Sequence, residues 1–313
     1  MDKMKAAICT RYGPPEVLKI VERDAPVPQD DEVLIKVFAA SVTNSDIFIR
    51  SSDVPLRLRI PMRVMMGITR PRNDILGEVL SGEIVRVGSK IRRFHVGDQI
   101  FGLTGFSLGA YADYKCMKET DSKKGCIALK PRNINCEEAT SAAYGGLLAL
   151  QFLEKGHIQP EQKVLIYGAS GTSGTIAVQY AKHLGAEVTG VCSAEKVDLV
   201  RSLGAGKTLD YTTTDSISKL EAYDFALDSV GKARTSELKQ ACRNQMSDKR
   251  KFVSIDDDSL ILSSDRLNRI RELVEAGIVT PITDRCFPFE QIIDAHRYVE
   301  QGHKRGNVAI TVN

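Results

Sequence analysis

Three glycines spaced three residues apart follow a short apolar run in the middle of the chain. The run is 164–167 (Val-Leu-Ile-Tyr), and apolar residues at helical spacing follow the glycines up to Gly185. Small residues between a strand and a helix let the backbone approach a pyrophosphate, which the helix N-terminus attracts. The pattern G-x-x-G-x-x-G therefore predicts a dinucleotide-binding loop. A tight turn without a ligand is the alternative. The loop residues are Gly168, Ala169, Ser170, Gly171, Thr172, Ser173 and Gly174.

The end of the next predicted strand distinguishes between two cofactors. NAD-preferring sites place an Asp or Glu there to hold the ribose 2′-hydroxyl. Here the strand at 187–191 is followed by Ser193, Glu195 and Lys196, with no acid directly at its end. A serine hydroxyl and a lysine ammonium suit a 2′-phosphate, so the sequence favours NADPH. Glu195 keeps NADH as the alternative cofactor, because a shift of one or two residues would bring its carboxylate to the ribose.

Strands and helices alternate around this loop. Further strands are predicted at 207–210, 223–228 and 251–255, which indicates βαβ units and a parallel sheet. Residues before about 130 instead form short strands between turn signals such as Gly13-Pro14-Pro15, which is typical of a small β-barrel. Helices are predicted at 265–276 and 289–300. A last strand at 308–312 needs partners, so the tail is predicted to return to the N-terminal domain.

The composition is that of an ordinary globular protein of about two domains. The chain has 313 residues, 42% of them hydrophobic, with 43 Lys and Arg against 40 Asp and Glu. Without a concentrated basic face, a nucleic-acid partner is not expected. Neither a signal peptide nor an apolar run of about 20 residues is present, so we expect no membrane partner and a cytoplasmic location. The seven cysteines form no C-x-x-C pair and are interpreted as reduced thiols.

Several segments in one order carry a family resemblance. They are 5–8 with 12–18, 32–37, 94–98, 109–114, 167–174, 223–231, and 277–282 with Ala295-His296. Together they resemble the medium-chain dehydrogenase/reductase superfamily, above all its zinc-independent quinone-oxidoreductase branch. The resemblance implies an α/β fold in two domains with the active site in the cleft between them. A GroES-like β-barrel catalytic domain would take residues 1–130 and 278–313, and a doubly wound Rossmann domain residues 131–277.

The chain departs from its zinc-binding relatives in two places. Thr43 and Glu78 stand where those relatives carry a catalytic Cys and His, so we expect no metal. The Rossmann domain is also shortened, because its sixth strand and helix are reduced to 256–264. That strand often forms the dimer interface in relatives. A homodimer is therefore one possibility, which the sequence does not decide.

Candidate catalytic residues come from the same resemblance. Zinc-free relatives usually show Val-Asn-Pro-x-Asp where this chain reads Val-Thr-Asn-Ser-Asp at 42–46. Thr43 or Asn44 would then lie near the nicotinamide and orient the substrate, with Tyr144 as a weaker candidate. The alternative is that hydrogen bonds of 42–46 only support the loop. Two further residues are implied to contact the cofactor: Tyr211 and Asn307.

The expected activity is hydride transfer from NADPH to a small-molecule electrophile, either a quinone or an α,β-unsaturated carbonyl compound. The segment 56–66, in which arginines alternate with apolar residues, is interpreted as a loop that covers the substrate. Two alternatives stay open. One is a non-catalytic NADPH-binding or redox-sensing protein, and the other is a zinc-free alcohol or aldehyde oxidoreductase.

Overall fold

The computed structural model describes residues 3–53, 60, 63–64, 66–232 and 234–312. Its contacts divide the chain into two compact units. Unit 1 comprises Met1–Ala143, Leu262–Arg271 and Thr283–Asn313, and unit 2 comprises Tyr144–Ile261 and Glu272–Ile282. The first division falls at residue 143, whereas the sequence analysis placed it at 130. Most of the predicted covering segment 56–66 lies outside the described residues.

Unit 1 is built on β-strands. They are β1 (Lys3–Cys9), β2 (Leu18–Asp24), β3 (Glu32–Ser41), β4 (Val79–Val87), β5 (Gln99–Leu103), β6 (Tyr114–Lys118), β7 (Cys126–Leu129), β13 (Thr283–Pro288) and β14 (Asn307–Thr311). The main sheet has the order β13-β14-β3-β4-β5-β7, with β6 also paired to β3, and β1 pairs with β2. Its core contains Val33, Ile35 and Val37, the inward-facing residues of β3.

The C-terminal tail completes this unit. Strand β14 pairs antiparallel with β3, with Ala309 opposite Ser41, which confirms the predicted return of the last strand. Unit 1 contains the helices α1 (Asn44–Ser51) and α8 (Ile292–Glu300). A 3-10 turn occupies the first three residues of the predicted helix at 289–300. Two longer helices contribute residues to both units: α2 (Cys136–Glu154) and α7 (Ser264–Glu275).

Unit 2 is a five-stranded parallel sheet with helices, as predicted for a Rossmann domain. Its strands are β8 (Lys163–Tyr167), β9 (Glu187–Cys192), β10 (Lys207–Asp210), β11 (Phe225–Asp228) and β12 (Phe252–Ser254). Its helices are α3 (Thr172–His183), α4 (Val197–Ser202), α5 (Asp215–Ser218) and α6 (Glu237–Asn244). The strand order is β10-β9-β8-β11-β12. Successive strands are added on one side of β8 up to β10 and then on its other side from β11, so the order of addition reverses between β8 and β11. Open parallel sheets bind ligands at such a reversal, outside the carboxyl ends of the strands.

Two further findings concern the chain as a whole. No helix among the described residues is long and apolar enough to span a membrane. The seven cysteines all fall within the described ranges, and each is a free thiol. Burial is the main cause that raises their pKa, to about 12 for Cys126 and Cys242. Six of these thiols are buried or half-buried, which is the environment of packing residues, whereas Cys286 is exposed.

Candidate cofactor and active site

The glycine loop joins β8 to α3 at the carboxyl edge of the unit 2 sheet. Gly168 directly follows β8 and has a φ of +83°, which glycine adopts without strain. Gly171 is the N-cap of α3, and as a glycine it supplies no side-chain cap to this helix. The Ser173 hydroxyl, in the buried first turn, hydrogen-bonds to the Ser229 hydroxyl after β11. An uncapped helix N-terminus beside the reversal of strand order suits a pyrophosphate.

The three glycines of the loop differ in what the fold requires of them. A Cβ on Gly174 would lie 2.1 Å from the Gly168 carbonyl oxygen, and one on Gly168 would lie 2.5 Å from Val230 Cγ2. The packing of the loop therefore requires both glycines. A Cβ on Gly171 would meet no atom closer than 3.4 Å, and its φ of −82° suits any residue. Open space beside the second glycine is what a close approach of the cofactor needs.

The predicted cofactor residues of the next two strands reach the same edge. The Ser193 hydroxyl donates a 3.5 Å hydrogen bond to the Glu195 carboxylate. Lys196 is buried, with 5% of its surface exposed, and its ammonium lies 4.0 Å from that carboxylate. Tyr211 is 45% exposed, and its N–H donates to the Cys192 carbonyl at 3.2 Å. Because this bond joins the ends of β9 and β10, Ser193, Lys196 and Tyr211 share one edge with the glycine loop.

A buried ion pair follows β11 at the reversal of strand order. Lys239 Nζ lies 2.6 Å from Asp228 Oδ2, and the Ser254 hydroxyl donates to the same oxygen at 3.1 Å. The other carboxylate oxygen accepts the N–H groups of Val230 and Gly231 at 3.1 and 3.3 Å. The pair therefore fixes the backbone turn that faces the glycine loop. The sequence analysis missed it, since a spacing of this kind between α6 and β11 is no recognised pattern.

Thr43 begins α1 in unit 1 as part of a reciprocal cap. Its hydroxyl donates to Asp46 Oδ2 at 2.7 Å and accepts the Asp46 N–H at 3.1 Å. The Thr43 N–H donates to the same carboxylate at 2.9 Å. This capping box engages the hydroxyl inside the protein. The neighbouring residue Asn44 is exposed, so of the two candidates Asn44 is the one that a substrate can reach.

The structure places the remaining two candidates in different units. Tyr144 is half-buried in α2 and belongs to unit 2. Asn307 begins β14 of unit 1, where its buried amide donates to the Ser41 hydroxyl at 2.7 Å and to the Thr140 hydroxyl at 3.1 Å. Those bonds engage both amide hydrogens within unit 1. The catalytic roles of Thr43, Asn44 and Tyr144 and the cofactor contact of Asn307 stay predictions.

A pair of acids lies beside α1, and the sequence analysis did not identify it as a pair. Asp46 is completely buried, and the N–H of Gly77 donates to its Oδ1 at 3.1 Å. Burial raises the pKa of Asp46 to about 6. Burial, and then the charge of Asp46, raise the pKa of Glu78 to about 8. Burial and the neighbouring carboxylate therefore both favour the protonated form of Glu78. Its one local signal in the sequence is that it follows a glycine, which here has a φ of +97°.

The same residues do not form a metal site. No group of three or more His, Cys, Asp or Glu side chains in the described ranges is arranged to hold a metal ion. The hydroxyl of Thr43 is bound to Asp46, and Glu78 is a single carboxyl group whose pKa burial raises. Catalytic zinc sites normally use three protein ligands, most often His, Cys or a carboxylate. The donor set at these positions does not fit one.

Two family models match the chain. The model described as an alcohol dehydrogenase GroES-like domain matches residues 29–130, and the one described as a zinc-binding dehydrogenase matches residues 203–310. The chain is 28% identical to the mitochondrial NAD(P)H oxidoreductase RTN4IP1 of Mus musculus, over 99% of this chain and 89% of that protein. It is also 28% identical to the NADPH-dependent alkenal/one oxidoreductase of Arabidopsis thaliana chloroplasts, over 98% and 79%. The 2-methylene-furan-3-one reductase of Solanum lycopersicum matches to the same extent.

Solved structures share the fold over its full length. The quinone oxidoreductase from Coxiella burnetii superimposes with a TM-score of 0.83 at 24% identity, covering 100% of both chains. The CurK enoyl reductase gives 0.81 at 21% identity, again covering 100% of both chains. The family models, the relatives and the Rossmann sheet with its glycine loop agree with one another. The chain therefore belongs to the medium-chain dehydrogenase/reductase superfamily of nicotinamide-dependent oxidoreductases, in its quinone-oxidoreductase-like branch.

Proposed function

We propose that the protein is an NADPH-dependent reductase that transfers a hydride to a quinone or to an α,β-unsaturated carbonyl compound without a catalytic metal. The observation that carries the proposal is the edge of the unit 2 sheet, where the uncapped N-terminus of α3 and Lys196 lie together. The relatives support the same reaction class, because their names include an alkenal/one oxidoreductase and a furanone reductase.

The residues at this edge suit NADPH. The N-terminus of α3 would hold the pyrophosphate, with Gly171 allowing its approach. Lys196 would supply a positive charge to the 2′-phosphate, and Ser193 would donate a hydrogen bond to it. The exposed ring of Tyr211 would lie against the adenine. When bound, the cofactor supplies the hydride.

The positions of Glu195 and Lys196 favour the phosphorylated cofactor. The side chain of Glu195 is 58% exposed, so water and salt screen its repulsion of a phosphate. Lys196 is buried, and a charge in less polar surroundings acts more strongly on its neighbours. The balance of the two charges at the ribose is therefore positive.

The substrate side of the reaction requires a hydrogen-bond donor. Negative charge develops on the substrate oxygen as the hydride arrives, and a fixed donor stabilises it. Asn44 is our candidate, because it is exposed at the first residue of α1. Thr43 is then a positioning residue, since its capping box with Asp46 fixes the start of α1. The Tyr144 hydroxyl remains the other candidate.

A direct test follows the absorbance of the reduced nicotinamide with chelator-treated protein. Benzoquinone, phenanthrenequinone and a series of alkenals are the electrophiles, and NADH is run in parallel. We expect turnover with at least one class of electrophile, with a kcat/KM for NADPH about tenfold or more above that for NADH. Tight binding of NADPH without turnover would instead favour the non-catalytic, redox-sensing alternative. Reduction of NADP⁺ by alcohols would favour the alcohol oxidoreductase.

A further inference from the structure

Two carboxyl groups from separate segments of unit 1 share one small region. Asp46 lies in the first turn of α1, and Glu78 directly precedes β4. The two segments are joined by the hydrogen bond from the Gly77 N–H to Asp46 Oδ1. A second link runs between the side chains of Ser45 and Glu78. The acid pair thus lies where the segment before β4 meets the first turn of α1, which also carries the proposed substrate donor Asn44.

The two acids differ in their hydrogen bonds. Asp46 accepts three close donors, namely the N–H and the hydroxyl of Thr43 and the N–H of Gly77. Three donors stabilise the ionised form of a carboxyl group. Among the residues that the structure describes, the donor recorded at the Glu78 carboxyl group is the Ser45 side chain, so its ionised form receives less support than that of Asp46. One proton between the two acids therefore resides on Glu78.

The other charged and titratable groups of the region leave this assignment unchanged. Tyr111 donates its hydroxyl to the Ser41 carbonyl at 3.1 Å, and burial raises its pKa, so it is neutral. Arg50 is completely buried and forms an ion pair with Glu300. Its Nε also donates to His296 Nδ1 at 3.3 Å, which directs the guanidinium toward α8. Asp46 is therefore the main charge that acts on Glu78.

Access also differs between the two acids. Asp46 is closed off from solvent, whereas Glu78 is only partly buried, and the adjacent Asn44 is exposed. A partly exposed carboxyl group whose protonated form is favoured, held beside a buried carboxylate, has the properties of a general acid. A group kept protonated at neutral pH can donate once and then be reprotonated from water.

We propose that Glu78 is the proton donor of the reduction, an inference that rests on the proposed function. Two electrons and a proton enter the substrate as a hydride at the β-carbon, and the carbonyl π electrons move onto the oxygen. The Glu78 O–H bond then breaks, and its proton passes to that oxygen to give the enol, which tautomerises to the saturated carbonyl compound. The Glu78 carboxylate takes up a proton from water before the next turnover.

The proposal predicts that the loss of Glu78 affects the reduction of alkenals more than the reduction of quinones. A hydroquinone anion is a weakly basic product that water can protonate after release, whereas an enolate is strongly basic and needs its proton at once. Glu78→Gln keeps the size and hydrogen-bonding capacity of the side chain but cannot transfer a proton. We expect this variant to lose about a hundredfold or more in kcat with alkenals and much less with quinones. Glu83→Gln, within the strand β4 that follows Glu78, is the matched control and should keep the kcat of the wild-type protein.

A second readout needs neither cofactor nor turnover. The infrared band of a protonated carboxyl group, followed in the full-length protein as pH rises, should disappear with a midpoint near 8. Above pH 7, where Asp46 is mostly ionised, the band should be absent in Glu78→Gln and present in Glu83→Gln. In turnover with alkenals, kcat should fall above the same pH in the wild-type protein, and this fall should be absent in the Glu78 variant.

The outcomes distinguish this proposal from the one on which it rests. If the wild-type protein reduces alkenals and Glu78→Gln does so equally well, the assignment of the proton donor is wrong and the proposed function stands. A wild-type infrared band already lost at neutral pH would also overturn the assignment. If the wild-type protein reduces no electrophile, the proposed function fails and the proton donor fails with it.

Discussion

The ammonium of Lys239 lies 2.6 Å from a carboxylate oxygen of Asp228, and both residues are buried at the end of β11. The charges are removed from water, so each depends on the other for stabilisation. The Lys239 ammonium also donates to the carbonyls of Gly231 and Arg234 at 2.7 and 3.0 Å. The pair therefore holds the turn after β11 from both sides.

Removing one charge of this pair should lower the free energy of unfolding much more than removing both charges. Lys239→Met leaves a buried carboxylate without its counter-charge, and we expect a loss of about 3–5 kcal/mol in the free energy of unfolding. Adding Asp228→Asn should recover most of that loss. Urea denaturation followed by circular dichroism measures both values.

A surface ion pair of equal length provides the control for this experiment. Lys232 Nζ lies 2.6 Å from Asp257 Oδ1, with the lysine side chain 63% exposed. Lys232→Met should cost no more than about 1 kcal/mol. Equal losses for the two lysine variants would show that burial contributes nothing to the Asp228–Lys239 pair.

Alanine substitutions at two loop glycines should separate folding from cofactor binding. A Cβ at residue 174 would collide with the backbone of Gly168, so Gly174→Ala should lower the free energy of unfolding by about 1–3 kcal/mol. Gly171→Ala meets no such contact, and we expect stability within about 0.5 kcal/mol of the wild-type protein. Its affinity for NADPH should nevertheless fall about tenfold or more. Thermal denaturation and fluorescence titration measure the two effects, and unchanged NADPH binding by Gly171→Ala would contradict the loop assignment.

Lys196 should determine the preference between the two cofactors. Lys196→Met keeps most of the buried volume and removes the charge, which is worth about 1.5–3 kcal/mol in a hydrogen bond to a phosphate. We therefore expect the Kd for NADPH to rise about tenfold or more while the Kd for NADH stays nearly constant. Lys182→Met, an exposed lysine in the last turn of α3, is the charge-matched control. An equal loss for both cofactors would mean that Lys196 supports the fold and not the 2′-phosphate.

His296 should make the protein less stable in acid. The imidazole is buried and accepts a hydrogen bond from the Arg50 Nε. Burial, and then the charge of Arg50, lower its pKa to about 3, against about 6.5 in the unfolded chain. The folded state thus binds fewer protons, and its stability falls as the pH drops from about 6.5 toward 3. The expected slope from this group is about 1.4 kcal/mol per pH unit.

The variant His296→Gln isolates this contribution, because the other titrating groups are common to both proteins. Asp46 acts in the opposite direction, since its raised pKa favours the folded state in acid. The difference in unfolding free energy between wild-type protein and variant should shrink as the pH falls through this range. The 82% exposed His95 supplies the control His95→Gln, which should follow the wild-type curve. A constant difference across this pH range would refute the assignment.

Strong local patterns were sufficient to predict much of this molecule. The glycine loop, the parallel sheet and the helix α7 all carry short-range signals, and each is found where the pattern places it. Strand β13 was missed because its residues lack the alternation of a half-buried strand, and its pairing with β14 is decided by distant chain segments.

The pairs of charged residues could not be predicted from the sequence either, because their members are brought together by distant chain segments. Asp46 and Glu78 come together because α1 and the start of β4 pack in one unit, and Asp228 meets Lys239 across a turn. Their pKa values and stabilities depend on burial and on neighbours that only the folded chain defines. The capping role of Thr43 has a sequence signature, since an acid stands three residues later, but competing readings of the 42–46 segment obscured it.

The open space beside Gly171 has a consequence for how this protein can change over generations. The fold tolerates a larger residue there, whereas the proposed contact with a dinucleotide would keep the position small. A descendant that stopped using the cofactor would be free to substitute this residue first, while Gly168 and Gly174 would persist as long as the protein folded. The residue at position 171 therefore serves as a marker of whether a homologous chain still binds its dinucleotide.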